Sequence, residues 1–348
     1  MRIAALADVL KILLYVIASF LLAALISPTL FDLGKGFANL TSGKTTADQM
    51  AWLASKAEGA SFTAYFKKAL FISALICLIP LFCSLDLRRH ARPRKGNPWT
   101  IGLPPQSTPP RMGQALRNSQ WGIFQSLTGF CLSAGCSLAL AWLVFALDWF
   151  QWQAPPSANT LWATTWSALK SALLLAIIIE TIFRGALLGI FLRAFRPSIA
   201  IPLLSLTFAS AYFLIPSHIV PINDPQAARA GFEILGQLYQ KFLNREILIQ
   251  SFIPLFIVGL ILGMTRYRTS ALWLPIGLHT GWIFSHQLFT RLTERRSDLP
   301  EHFRLYIGPE LKDGLLSISL LLLIGLIVIL YLQFLQFSKK PPAPEREE

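Results

Sequence analysis

Glu180, Arg184 and His279 are ionisable side chains set inside long apolar stretches. Glu180 and Arg184 share the run from Trp166 to Phe195 and lie four residues apart, so a helix stacks them one turn apart on one face. A carboxylate and a guanidinium at membrane depth are costly unless they pair or meet other polar groups inside the protein. His279 lies in a second apolar run, LWLPIGLHTGWIFSHQLF, and His286 follows it on the same helical face, two turns on. If the two runs pack together, a carboxylate, an imidazole and a guanidinium converge in one cavity. Two chemistries are then open. The set could activate water, with the carboxylate as base and the imidazole as metal ligand or hydrogen-bond donor. Or it could be a structural network, in which Arg184 neutralises Glu180 and His279 caps a carbonyl. The spacing of the two histidines does not by itself indicate a metal site, which takes residues three or four apart on one helix or residues from several helices.

The elements that must position these residues are membrane helices. Of 348 residues, 54% are hydrophobic and 14% charged, against about 25% charged in a soluble domain. The pattern predicts an all-α, polytopic bundle of about eight spans: 9–25, 69–85, 121–147, 166–195, 199–215, 247–264, 271–289 and 314–337. The first has no small-x-small cleavage site and reads as a retained span. Lys170, near a span end, can snorkel to the surface.

A polar loop is expected over 33–66, with 50–66 weakly amphipathic, and another over 216–246. The net charge of +13 gathers beside the spans. The proline-rich basic stretch 86–120, Arg193 with Arg196, Arg266 with Arg268, and Lys339 with Lys340 all fall on one side if both termini are cytoplasmic. That reading makes an inner (plasma) membrane protein whose basic residues meet lipid headgroups, not nucleic acid. The loop at 291–313 fits it least well, because Arg291, Arg295 and Arg296 then lie outside. The aromatic loop 148–160 belongs to that same outer side. The tail 341–348, PPAPEREE, reads as disordered. Cys77, Cys83, Cys131 and Cys136 have neither disulfide-framework nor zinc spacing and read as small buried hydrophobes. The chain divides into an N-terminal membrane region (1–160), a core (161–290) and a C-terminal loop, span and tail (291–348).

Within that core, ETIFRG, then LTFASAYF, then LWLPIGLHTGWIF resembles the CPBP family, which groups the type II CAAX prenyl endopeptidases with bacterial Abi and bacteriocin-processing proteins. YIGPELKDGLL, before the last span, is similar to a bacterial subset. The resemblance implies an intramembrane endopeptidase of the metalloprotease type, acting on membrane or lipidated peptide substrates, with zinc as a possible cofactor and His279 as a metal ligand. Its motifs map Glu180 and Arg184 onto the second glutamate and the arginine of E-E-x-x-x-R, Phe208 onto the start of F-x-x-x-H, and His279 onto the start of H-x-x-x-N/D. Three positions depart. Ile179 stands where the family has the first glutamate, Tyr212 where it has the histidine, and Ile283 where it has Asn or Asp.

Whether the chain is an enzyme therefore stays open. Three readings follow: proteolysis is lost and the inherited cavity binds a membrane partner or lipidated chain; a rearranged site works with Glu180 as base and an imidazole from His218 or His286; or the chain is a transporter or channel that uses Glu180 and Arg184 for its substrate. Positions 179 and 180 differ by about 100° around a helix, so a direct exchange of roles is not geometrically simple.

Overall fold

Backbone groups in lipid must be bonded within their own segment, so apolar runs of this length fold as helices. The computed structural model describes residues 2–41, 48–84, 119–216, 221–300, 303–308 and 310–337. Most of the basic stretch 86–120, His218 and the tail 338–348 lie outside these residues. Among the described residues, six helices are long and apolar enough to cross a membrane. The chain forms two units, one from residues 1–94 and 210–248, the other from 95–209 and 249–348.

The first unit is built on α1 (Arg2–Thr41), with α2 (Asp48–Glu58), α3 (Phe62–Ser84) and α8 (Ala230–Leu243). The expected loop over 33–66 is largely helical. Gly34 and Gly36 do not end α1, because tertiary packing outweighs their weak helix propensity. Tyr65 lies over Gly34, and Phe31 meets the rings of Phe62 and Tyr65 edge-on at 5.5 and 5.3 Å. The expected loop over 216–246 also contains a helix. In α8, Ala230, Ile234 and Leu238 recur every four residues and bury against Ala23, Ala24 and Phe66. A Cβ on Gly231 would come within 2.0 Å of the Ala24 carbonyl, so α8 rests directly on the α1 backbone.

The second unit holds the ionisable residues. It comprises α4 (Ser119–Ala146), α5 (Ala158–Glu180), a π turn (Thr181–Leu187), α6 (Leu188–Ala194), α9 (Ile253–Thr269), α10 (Trp273–Leu292) and α12 (Leu315–Phe337). It also takes residues 197–209 of α7 (Pro197–Phe213). α7 and α10 fall where the other two spans are expected, and neither is among the six. α7 has 17 residues, and α10 carries His, Thr, Ser and Trp because it is enclosed by protein instead of lipid: every residue from Gly277 to Ser285 is buried.

Glycines set the α4–α10 contact. Gly277 and Gly281 of α10 lie against the carbonyls of Ser126 and Phe130, and Gly129 of α4 lies against Leu274 and Leu278. His279 sits about 200° around α10 from Gly277. The face opposite the glycines is thereby turned to α5, which packs on α10 through a stripe of Ala168, Ala172, Ala176 and Glu180.

A two-stranded ribbon closes one end of this unit. β1 (Phe150–Trp152) pairs antiparallel with β2 (Thr293–Arg295), Phe150 opposite Arg295. The loops expected on one side, 148–160 and 291–313, are thus joined at one end. Arg296, awkward there by charge alone, is neutralised by Asp148 and by Asp298 at 2.9 Å. Beneath the ribbon an apolar cluster holds Val144, Phe150, Phe289, Ile307 and Leu311, the last two from the segment that follows the short helix α11 (Phe303–Tyr306).

The four cysteines are free, but none is buried: Cys83 and Cys131 are exposed, Cys77 and Cys136 partly so. Apolar outward faces are the rule for helices that meet lipid, so an apolar setting did not imply burial.

Candidate functional site

The expected trio meets. Glu180, Arg184 and His279 are 0%, 1% and 1% exposed. Glu180 Oε1 accepts a hydrogen bond from Arg184 Nη1 at 2.9 Å and lies 2.6 Å from His279 Nδ1. An ionised carboxylate only accepts, so the imidazole is the donor and carries a proton on Nδ1. Neither the other ring nitrogen, Nε2, nor Glu180 Oε2 has a partner among the described residues. Arg184 Nη2 donates to the Gly259 carbonyl at 3.2 Å, and the guanidinium stacks over Phe208, 4.6 Å from the ring centroid. Phe208 also meets the His279 ring edge-on at 5.9 Å. Gly259 can reach Arg184 because α9 has no side chain there: a Cβ would come within 2.9 Å of Ser205 on α7.

The π turn keeps the trio in register. A face with a spacing of four drifts about 40° per step around an α-helix. The wider π turn, bonded i to i+5, runs the drift back, and Arg184 and Leu188 stay on the buried side with Glu180.

The other candidates divide. Ile283 is buried one turn beyond His279 on α10 and offers no polar atom. Ile179 is partly buried beside Glu180. Tyr212, one turn past Phe208 on α7, is partly buried and falls in the first unit. His218 lies outside the described residues. His286 does not join the trio: its Nε2 lies 3.2 Å from Glu310 Oε2 in the loop before α12, and Lys312 pairs with the same oxygen. A small apolar hollow beside His279 is lined by Ser133, Leu262, Leu278, Trp282 and Leu321.

One participant was not expected. Arg266, read from the sequence as a span-end topology charge, is 1% exposed, and its Nε donates to the Arg184 carbonyl at 3.3 Å. Nothing in the sequence separates it from Arg268, two residues on; only the packing does.

A zinc site needs three or four protein donors. Here Glu180 Oε1 is already occupied, and the open donor atoms are Glu180 Oε2 and His279 Nε2. No group of three His, Cys, Asp or Glu side chains able to hold a metal gathers among the described residues. Among the described residues these two donors do not by themselves make up a zinc ligand set.

The Glu310 cluster carries a pH prediction. Burial alone would raise the Glu310 carboxyl, but the hydrogen bond with His286 and the Lys312 charge outweigh it and hold it well below 4.5. A depressed carboxyl gives stability that is present above 4.5 and lost as pH falls through its folded value. Asp313, raised chiefly by burial, acts with the opposite sign and offsets part of this. Glu310→Gln should therefore flatten the acid-side fall in melting temperature below pH 4.5, followed in detergent. An unchanged acid limb would remove Glu310 from the account.

A carboxylate, an imidazole and a guanidinium sealed among apolar helices define an intramembrane polar core in a multi-pass helical membrane protein. Residues 160–285, which contain that core, match the family model described as Type II CAAX prenyl endopeptidase Rce1-like. The match supports a place for the chain in the CPBP family of intramembrane proteases. Neither the curated proteins nor the solved structures searched give a match.

Proposed function

We propose that this chain is a multi-pass inner-membrane protein of the CAAX prenyl endopeptidase type whose polar core binds a membrane partner or a lipidated chain end without cleaving it. In this reading the six long helices together with α7 and α10 would give eight crossings, and the basic clusters favour both termini in the cytoplasm. The observation that carries the reading is the saturation of Glu180 Oε1. It takes both the Arg184 guanidinium and the His279 Nδ1–H inside a sealed core, so this oxygen orients an imidazole and is not free to take a proton from water; only Oε2 has no partner among the described residues. Ile179 and Tyr212 add to it. An isoleucine accepts no proton, and a phenol with a reference pKa near 10 is a poor base at neutral pH.

A second reading is favoured by His279 itself. With Nδ1 anchored on Glu180, Nε2 is an oriented, buried proton acceptor, the arrangement of a general base held by a carboxylate. This would be metal-independent hydrolysis through His279, and the small hollow at that residue would have to open to admit substrate.

New peptide termini across the proteome separate the two. Strains carrying wild type, Glu180→Gln or His279→Ala are compared at matched membrane abundance. The binding reading expects the same termini in all three. Termini present with wild type and absent from both variants would establish a protease and name its substrates.

A further inference from the structure

We infer that Arg266 is a positioning residue for the polar core, acting through the backbone of Arg184. In an α-helix the carbonyl of residue 184 would accept from the amide of residue 188. In this chain the Leu188 amide reaches back to the Phe183 carbonyl, five residues away. The Arg184 carbonyl is thereby left without its ordinary donor, at a depth where water does not replace it. Arg266 Nε supplies that donor at 3.3 Å.

The same arginine of the π turn is held a second time by α9, since Arg184 Nη2 donates to the Gly259 carbonyl. Gly259 and Arg266 are seven residues apart on α9, two turns, and present one face. Arg184 is therefore gripped at its side chain by one end of that face and at its backbone by the other. The consequence reaches His279. The π turn keeps Arg184 over Glu180. If Arg266 let it relax to α geometry, residue 184 would rotate, Glu180 would lose its guanidinium, and the Oε1 atom that orients Nδ1–H would be free to turn away. A guanidinium suits the task because it is planar, permanently charged and less strongly hydrated than an ammonium, so it tolerates burial better than lysine.

The inference holds whether the core binds or cleaves, and its test reads the core directly. The protein is labelled with ¹⁵N-histidine, reconstituted in lipid nanodiscs, and the His279 signals are assigned by their loss in His279→Ala. Wild type should give two well-separated ring-nitrogen signals, the mark of one fixed tautomer. Arg266→Met should collapse them toward an average, whereas Arg266→Lys, which keeps a donor, should retain them. Phe150→Ala opens the apolar cluster under the ribbon; it should lower melting temperature yet leave the His279 signals in place, so general destabilisation is not the cause. Where Arg266→Met does not accumulate, Arg266→Gln, polar but too short to reach the Arg184 carbonyl, carries the test. Wild-type His279 signals in a folded Arg266→Met or Arg266→Gln protein would overturn the inference.

Discussion

Arg184→Leu should cost the folded state about 3–5 kcal/mol, the range found when one partner of a buried ion pair is removed. The reason is local. Glu180 is fully enclosed, and among the described residues Arg184 is the only arginine or lysine paired with it. Removing the guanidinium leaves the carboxylate with one donor and strips the Gly259 carbonyl of another. The variant should accumulate poorly in membranes, and any folded fraction should unfold at lower denaturant or temperature. Arg184→Lys should fall between, since an ammonium keeps the charge but loses the flat contact with Phe208. Glu180→Leu with Arg184→Leu should recover most of the loss, because no uncompensated charge remains. What stays lost is the partner of His279 Nδ1, about 1–3 kcal/mol for an orphaned buried polar group. Wild-type accumulation and stability of the single Arg184→Leu variant would mean that Arg184 does not hold Glu180.

That pair is legible in the amino-acid sequence, because a four-residue spacing within an apolar run leaves few alternatives to one shared helical face. The convergence of His279 is legible as well, through the motif order and not through any spacing of its own. Arg266 is not. At the end of a span a buried arginine and a topology-setting arginine look alike, and the π turn that creates the demand for it leaves no mark in composition. His286 misleads for the opposite reason. It shares a face with His279, but two turns, about 11 Å along the axis, carry it past the core to the loop at Glu310. The helical continuation of α1 past Gly34 is hidden because Tyr65, which lies over that glycine, comes from a different helix. Local propensity speaks for the isolated segment; each of these outcomes is decided by a neighbour distant in sequence.

Gly277→Val should abolish accumulation of folded protein, a larger effect than the ~1–3 kcal/mol usual for an overpacked core. A Cβ at 277 would stand 2.0 Å from the Ser126 carbonyl oxygen and 2.7 Å from its carbon. These are backbone atoms of α4, not the tip of a side chain that can swing away. Relief requires the two helices to separate, and α10 is packed closely on the far side as well, by α5. Separation from α4 would drive His279 into Glu180; rotation to avoid that would carry Nδ1 off Oε1. The fold and the polar core thus fail together. Gly135→Ala is the control, since nothing lies within 4 Å of a Cβ at that position on the same helix α4. It should extract from membranes as a monodisperse species at wild-type yield. If Gly277→Val did the same, with the His279 ring nitrogens unchanged, α4 and α10 could not be in backbone contact, and the close approach that turns His279 toward α5 would have to be abandoned.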